Sequence, residues 1–441
     1  STPGLPPCPR SHWSQTGMAS SGWLAVVAAV AVVVAVEGSA VDLACSLNGR
    51  QVSGQCNCDA PWRGVACSQL DIKPRPPSAV PAIYGHSPNV TSWGGNVVKG
   101  DDGLYHLYVS EMVGGCGLVS WGTHSRIIHA TAPSLDVSTP FKFSDVALPV
   151  WAHNAAPIRA PSSHTECPGC YYLFHIGDGA TSHPPYNCTN GNSPSDAAVG
   201  HKYDAPRDWF EAETSGAGGL VHRSKSPYGP WEALPSSVGC NNPAPAFAKN
   251  GTLFVLCSSS TVYRGDDVTG GKWDKVISLD LGNTPWRINQ SGTYVRVEDP
   301  YLWNDANGNW HLFSHRYDYR DGWPPNPNQT EPVLVSAHAY STNMYEWHYN
   351  TLPQPFDPWT FSEDGARVNF STFERPHLVF NEAGIPTHSI HGASPVWAQY
   401  GDHHPCEVCP ARPGSEHSCV VCKSSQYYSY TYTLLQELKV P

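Results

Sequence analysis

The sequence predicts an all-β protein whose main domain is a five-bladed β-propeller. Three observations support this fold class. One pattern of residues recurs five times along the chain, and the repeats leave no amphipathic helical window. In addition, 39 Gly and 41 Pro supply many turns, while 16 Trp, 21 Tyr and 12 Phe suit short strands that pack through aromatic side chains.

Each repeat contains a polar pair, an apolar strand, a Gly-containing turn and an aromatic strand. Apolar residues alternate on both sides of the turn, as in a half-buried hairpin. A further strand, turn and aromatic residue follow most of the hairpins. A long β-sandwich is the alternative, but it would not repeat these features in this order. We therefore expect five four-stranded blades between residues 83 and 400, with repeats that open at Trp93, His153, Asn241, Glu298 and Glu374.

Net charge excludes one class of partner. The formal charge of −11 argues against nucleic-acid binding, which needs a basic surface opposite the phosphates. No basic amphipathic stretch indicates binding to a membrane surface.

The first 40 residues are expected to be an upstream segment and a signal peptide. Leu24 to Val36 is an unbroken apolar run, short for a membrane span, and small residues follow it at 38–40. Met18 is a plausible start of translation. The alternative is an uncleaved signal anchor that would hold the protein at the cell surface. With 15 Cys, and Asn-x-Ser/Thr sequons at Asn89, Asn187, Asn250, Asn289, Asn328 and Asn369, the chain is expected to be a secreted glycoprotein.

Residues 41–71 form a small cysteine module. The C-x-C at Cys56 and Cys58, followed by PWRG and Cys67, resembles the second half of an EGF-like module. That resemblance makes Cys45 the second cysteine and places Gln51 where the third would stand. Because the first and third cysteines pair with each other, it implies the remaining bridges Cys45–Cys56 and Cys58–Cys67. Residues 72–82 contain four Pro within 72–81 and are predicted to be a linker.

Other cysteines predict further bridges. Cys167 and Cys170 flank a Pro-Gly turn and indicate a stapled loop, and Cys240 and Cys257 flank the third hairpin. The C-terminal segment 401–441 holds two C-x-x-C pairs. They would indicate a zinc ribbon in a cytosolic protein but favour disulfides in a secreted one: Cys406, Cys409, Cys419 and Cys422.

The polar pairs are the candidate functional residues. The innermost strands of all blades point at one central mouth, so these pairs should converge there. We predict that Trp93 stacks on a sugar and that Arg375 orients it. The predicted substrate-binding residues are Trp93, His153, Asn154, Arg159, Asn241, Asn242, Arg375 and His388.

Residues 83–400 resemble the five-bladed-propeller glycoside hydrolases of family 43, which include arabinanases and xylosidases and have invertases as cousins. EDPYLW from Glu298 and ERPHLV from Glu374 resemble their Asp-Pro and Glu-x-Pro blade openings. The resemblance implies Asp299 as a supporting acid and Glu374 as the general acid, with a carbohydrate substrate. Glycosidic cleavage needs one protonated and one ionised carboxyl group.

The first blade departs from that pattern. Gly94-Gly95-Asn96 stands where the family's essential Asp belongs. Glu298 is the substitute by position, and Glu111 is a more distant one. Two functions are therefore compatible with the sequence: a glycoside hydrolase that uses Asp299, Glu374 and Glu298, and a glycan-binding or adhesion propeller without catalysis. No cofactor or metal ligand set is predicted, and a structural cation at the propeller axis is compatible with the sequence.

Overall fold

The computed structural model describes residues 42–76, 83–85, 90–118, 121–177, 220–235, 238–258, 260–279, 296–317, 335–350, 353–365, 367–370, 372–394 and 431–440. The structural statements below concern these residues. The signal segment before residue 42 and the cysteines at 406, 409, 419 and 422 lie outside them. No helix in the described part of the chain is both long and apolar enough to span a membrane.

The N-terminal module consists of a short 3-10 helix, Leu43–Cys45, and two small hairpins. The first hairpin pairs β1 (Gly49–Val52) with β2 (Gln55–Cys58), and the second pairs β3 (Trp62–Arg63) with β4 (Gln69–Leu70). Cys45 is bonded to Cys56, and Cys58 is bonded to Cys67. These two bridges confirm the predicted pairing, and they hold together a segment too small to bury a core of its own.

Five sheets follow in chain order, and they confirm the five-bladed propeller. Blade 1 contains β5 (Thr91–Lys99), β6 (Tyr105–Met112), β7 (Ser125–Ala132) and β8 (Lys142–Leu148), with the helical turn α1 (Trp121–His124) before β7. Blade 2 contains β9 (His153–Arg159), β10 (Tyr171–Ile176), β11 (Leu220–Ser224) and β12 (Glu232–Ala233). Blade 3 contains β13 (Ala244–Phe247), β14 (Leu253–Leu256), β15 (Thr261–Asp267) and β16 (Lys272–Ser278).

Blade 4 contains β17 (Arg296–Asn304), β18 (Trp310–Tyr317), β19 (Ser336–Ser341) and β20 (His348–Asn350). A separate hairpin, β21 (Trp359–Phe361) with β22 (Arg367–Asn369), precedes blade 5. Blade 5 contains β23 (Thr372–Phe380), β24 (Pro386–Ser394) and β25 (Tyr432–Glu437).

Blade 5 corrects two sequence-based expectations, its number of strands and its C-terminal boundary. It is a three-stranded sheet in the described part of the chain, and its third strand, β25, lies beyond the predicted limit at residue 400. Ile83 N donates to Thr433 O at 2.9 Å, and Thr433 N donates to Tyr84 O at 3.1 Å. The two ends of the propeller therefore meet on β25. This pairing satisfies backbone groups that an open edge strand would leave exposed.

The module and the segment after it pack on the propeller. Trp62 stacks on His338 at 5.4 Å between ring centroids, and Tyr340 Oη donates to Leu43 O at 2.8 Å. Lys73 N donates to Glu437 O at 2.8 Å, and Arg75 N donates to Phe361 O at 2.8 Å. Residues 72–76 of the predicted linker are therefore fixed to blade 5 and its neighbouring hairpin, because their backbone groups find partners there.

Two disulfides within the propeller were also predicted. Cys167 is bonded to Cys170 in the loop between β9 and β10, and Cys240 is bonded to Cys257 across the third hairpin. Cys116, for which no bridge was predicted, is disulfide-bonded as well.

Candidate functional site

Five equivalent residues open the innermost strands with a left-handed backbone. Their φ angles are +60° at Gly94, +56° at Asn154, +47° at Asn242, +50° at Asp299 and +54° at Arg375. Gly, Asn and Asp adopt this region most readily, whereas a long arginine side chain rarely does. At four of the five residues the pairing with the next strand shifts by a β-bulge, which turns the side chain away from the regular pleat.

These side chains form a hydrogen-bonded chain in blade order. Asn154 Nδ2 donates to Asn242 Oδ1, and Asn242 Nδ2 donates to Asp299 Oδ1 at 2.7 Å. Arg375 Nη1 donates to the same Asp299 oxygen at 3.0 Å. Asp299 and Arg375 are 4% and 1% exposed, so this ion pair is buried. Because a carboxylate only accepts, Asp299 fixes the orientation of both asparagine amides.

Gly94 completes the circle without contributing a side chain. A Cβ atom placed on Gly94 would lie 3.0 Å from Arg375 Cβ and 3.1 Å from Arg375 Cγ. The space beside the first blade is therefore filled by the arginine of the fifth. A side chain at residue 94 would require Arg375 to shift by a few tenths of an ångström, in addition to adopting the left-handed backbone of Gly94.

Three acids and one imidazole converge next to this chain. Glu298, Asp299, His315 and Glu374 each place one carboxylate oxygen or ring nitrogen within 4.8 Å of the others. His315 lies opposite Glu298 in the β17–β18 ladder, and its Nδ1 is 3.7 Å from Glu374 Oε2. The Ser314 hydroxyl donates to Glu298 O at 2.8 Å and stabilises the bulge. The Glu374 side chain is 12% exposed, so one acid of the cluster reaches solvent.

Such a cluster also has ligands for a divalent cation. In the described part of the chain only one other group has comparable geometry, and its cysteines Cys45, Cys56 and Cys67 are in disulfides. At the acidic cluster, however, the Arg375 guanidinium already lies 3.0 Å from Asp299 and supplies a positive charge there. The arrangement is therefore suited to proton transfer between carboxyl groups and a bound molecule.

His153 and Asn241 open their repeats as expected but have structural partners. His153 Nδ1 is 2.7 Å from Ser125 Oγ, and its ring stacks on Trp121. Burial, and to a smaller degree the charge of Arg375, lower the pKa of His153 to about 3, so the ring is neutral. At Asn241 it is the main chain that has the structural partner, because its backbone carbonyl accepts from both Ser258 N and Ser258 Oγ at 3.0 Å.

Trp93 does not have the free face that sugar stacking requires. It is 4% exposed and packs with Met112 and Cys116. A Cβ atom on Gly392 would lie 2.7 Å from its indole ring, so the backbone of β24 covers it closely. Trp93 lies at the start of its inner strand, as the sequence predicts, but its large indole side chain is buried in the core.

Arg159 and His388 lie far along their strands from the residues that converge. Arg159 is six residues beyond His153 on β9, which is about 20 Å at 3.3 Å per residue. It binds Asp101 in the β5–β6 turn at 2.5 Å. His388 pairs with Val379, close to the turn of the β23–β24 hairpin. Neither belongs to the cluster, because an inner strand brings only its first residues to the mouth.

Glu111 is also engaged elsewhere. Its carboxylate accepts from Arg126 at 2.5 and 2.8 Å and from Tyr84 Oη at 2.7 Å. The residue that sequence reasoning missed is His315. Counting pairs outward from the turn at 305–309 would place Arg316 opposite Glu298, because Asn304 pairs with Trp310. The β-bulge between Glu298 and Tyr301 shifts the register by one residue and brings His315 there instead, and a regular hairpin pattern does not reveal that shift.

No family model matches the sequence, and no curated protein matches it. Solved structures with a similar chain path include an endo-arabinase from Bacteroides thetaiotaomicron (12% identity, 83% of this chain and 98% of that chain, TM-score 0.41). A family 117 glycoside hydrolase from Zobellia galactanivorans has 11% identity over 84% and 89% of the two chains, with a TM-score of 0.39. A family 43 β-xylosidase/α-arabinofuranosidase from a compost metagenome has 11% identity over 83% and 96%, with a TM-score of 0.41.

Proposed function

We propose that the protein hydrolyses glycosidic bonds in a polysaccharide or glycoconjugate at the mouth of the propeller. The observation that carries this proposal is the convergence of Glu298, Asp299 and Glu374 within 4.8 Å, from the openings of two neighbouring blades. Hydrolysis of a glycoside requires a carboxyl group that protonates the leaving oxygen and a carboxylate that stabilises or attacks the sugar.

The local contacts suggest a division of roles. Asp299 is tied to Arg375 and Asn242 and is 4% exposed, so it serves as a fixed charge that positions the cluster. Glu374 is the general acid because it is partly exposed beside His315, where the leaving oxygen could approach. Glu298 is the partner carboxylate. Crowding of acids in one place separates their affinities for protons, which gives one protonated and one ionised group.

The separation of the two carboxyl groups sets the stereochemical course of such a reaction. Inverting enzymes keep them about 6.5–9.5 Å apart to admit a water, whereas retaining enzymes keep them about 5–5.5 Å apart. One oxygen of Glu298 and one of Glu374 lie within 4.8 Å of each other, so the two side chains are close enough to act on one sugar. Proton NMR of a fresh digest measures whether the first product retains or inverts the anomeric configuration of the substrate.

A screen of aryl glycosides and of plant and algal polysaccharides tests the proposal. The purified protein should release reducing ends from at least one substrate. Binding to a glycan by calorimetry, with no release of sugar from that glycan, contradicts the enzyme.

The second candidate is a glycan-binding propeller without catalysis. Gly94 favours it, because the first blade offers no carboxylate and Arg375 fills the adjacent space. The EGF-like module, which commonly serves in spacing or adhesion, is compatible with this role. The screen distinguishes the two candidates, since only the binding protein leaves every glycan intact.

Secretion is part of the proposal. The disulfides Cys45–Cys56, Cys58–Cys67 and Cys240–Cys257 support it, because such bonds persist in oxidising compartments. Expression in a secreting host should place the protein in the medium with asparagine-linked glycans. Retention in the membrane fraction would instead favour the signal anchor.

A further inference from the structure

Blade 1 contains a buried pair of imidazole rings between two carboxylates. His106 Nδ1 lies 2.8 Å from His129 Nε2, and the two rings are nearly parallel, with an interplanar angle of 14° and centroids 5.1 Å apart. Asp102 Oδ1 is 3.1 Å from His106 Nε2, and Asp145 Oδ2 is 2.9 Å from His129 Nδ1. Both histidine side chains are fully buried, whereas the two carboxylates are partly exposed. All four ring nitrogens therefore take part in one continuous row of hydrogen bonds, Asp102–His106–His129–Asp145.

Blade 4 repeats this row with one difference. His311 Nδ1 lies 3.2 Å from His338 Nε2, and Asp305 Oδ2 is 3.5 Å from His311 Nε2. His338 pairs across the ladder with Asn350, as His129 pairs with Asp145. At this end an amide nitrogen, Asn350 Nδ2, lies 3.1 Å from His338 Nδ1. The second row thus ends on a neutral donor instead of a carboxylate.

Each row consists of three hydrogen bonds, and each hydrogen bond needs one hydrogen atom. In blade 4 the Asn350 amide supplies one hydrogen, so His338 and His311 need one proton each and both rings stay neutral. In blade 1 both ends are acceptors. Two neutral rings would direct their protons at Asp102 and Asp145 and leave two lone pairs facing each other at 2.8 Å. A third titratable proton removes this conflict.

We propose that the His106–His129 pair is a buried proton-binding site that holds three protons, and thus one positive charge, whereas the His311–His338 pair holds two. Loss of the third proton breaks the hydrogen bond between His106 and His129. The link between β6 and β7 in blade 1 is therefore sensitive to pH, and the same link in blade 4 is not.

The surroundings of the pair are compatible with a positive charge. Asp102 and Asp145 face it from the β5–β6 turn and from β8. Tyr228, from blade 2, lies edge-on to both rings and donates from its hydroxyl to Asp102 Oδ2 at 2.9 Å. Tyr108 of β6 stacks on His129. None of these described neighbours is a lysine or an arginine. Burial opposes the charge and holds the pKa of His129 below its ordinary value, and the hydrogen bond and charge of Asp145 offset this only in part.

Long-range proton–nitrogen NMR of protein with nitrogen-15-labelled histidine tests the proton count. Between pH 5 and 8 we expect a pH at which the blade 1 pair changes from three N–H protons to two. The blade 4 pair should show two throughout and serves as the internal control. Two N–H protons in the blade 1 pair over this whole range would overturn the proposal.

A second test exchanges the residues that end the two rows, Asp145 in blade 1 and Asn350 in blade 4. Asp145→Asn should remove the third proton from blade 1, and Asn350→Asp should add one to blade 4. Because the wild-type fold then binds one proton more than Asp145→Asn, its unfolding constant relative to that variant should change by up to tenfold per pH unit, in favour of the wild type as pH falls. Equal pH dependence, with unchanged proton counts in both variants, contradicts the proposal. If Asp145→Asn does not fold, Asn350→Asp carries the test.

Discussion

Arg375 has an unusual combination of properties for one residue. Its backbone is left-handed, its side chain is 1% exposed, and its charge is paired with Asp299. Removal of either partner would leave a buried charge unpaired, which typically costs about 3–5 kcal/mol. Arg375 also closes the space beside Gly94. The residue that pairs with Asp299 of blade 4 is thus the same residue that crowds the position of a side chain at Gly94 in blade 1.

The proposed general acid is tested by Glu374→Gln. The amide keeps the shape of the carboxyl group but has no proton to transfer, so kcat should fall by about 10²- to 10⁴-fold while glycan binding persists. Glu382→Gln is the matched control, because Glu382 is on the same hairpin at its exposed turn, with 94% of its side chain in solvent. Steady-state kinetics and calorimetry on both variants measure the effect. Equal activity in the two variants would remove Glu374 from the mechanism.

At the scale of elements, the sequence predicts the strands and side chains that recur at the same place in each repeat. The polar openings at 298–299 and 374–375 and the flanking pair Cys240 and Cys257 lie where their register places them. Strand β25 was missed because it lacks the Gly turn and polar opening of the other repeats, and its pairing with β24 spans residues distant in sequence. The prediction for Trp93 failed for another reason. The position of a residue in the repeat indicates at which end of a strand it lies, but it does not indicate whether neighbouring blades cover its side chain.

The contact between the module and blade 4 predicts a stability effect. Trp62 is buried against His338 and Phe313. Trp62→Ala should therefore lower the free energy of unfolding by about 3–5 kcal/mol. Val65 in the same module is 85% exposed, so Val65→Ala should change it by less than about 0.5 kcal/mol. Denaturant unfolding of both variants measures the difference. A similar small effect for Trp62→Ala would mean that the module contributes nothing to propeller stability.

At the scale of the whole molecule, buried neutral histidines set the response to acid. Burial lowers the pKa of His153, His175 and His377 to about 3 each, with smaller contributions from nearby charges. Unfolding exposes these rings to water, where the ordinary pKa is about 6.5. Below that pH the unfolded chain binds more protons than the folded protein. Stability should therefore be retained above about pH 6.5 and lost progressively toward pH 3.

The slope of this loss is measurable. Each histidine contributes up to about 1.4 kcal/mol per pH unit, so the three together contribute up to about 4 kcal/mol per unit. Denaturant unfolding between pH 4 and 7 gives the slope. His377→Gln should lower the slope by up to about 1.4 kcal/mol per pH unit, whereas His348→Gln, at an exposed residue, should leave it unchanged. A flat profile over this range would contradict the assignment of neutral buried rings.

The docking of the module on blade 4 also has a consequence for biosynthesis. Trp62 leaves the ribosome long before His338, and 276 residues separate them. At about 5–20 residues per second, translation of that interval takes roughly 15–55 s. During this time the indole has no partner from blade 4, and closure of blade 5 must wait for β25, later still. The nascent chain thus carries an unpacked Trp62 indole until blade 4 has been synthesised, and blade 5 is completed only when β25 has emerged.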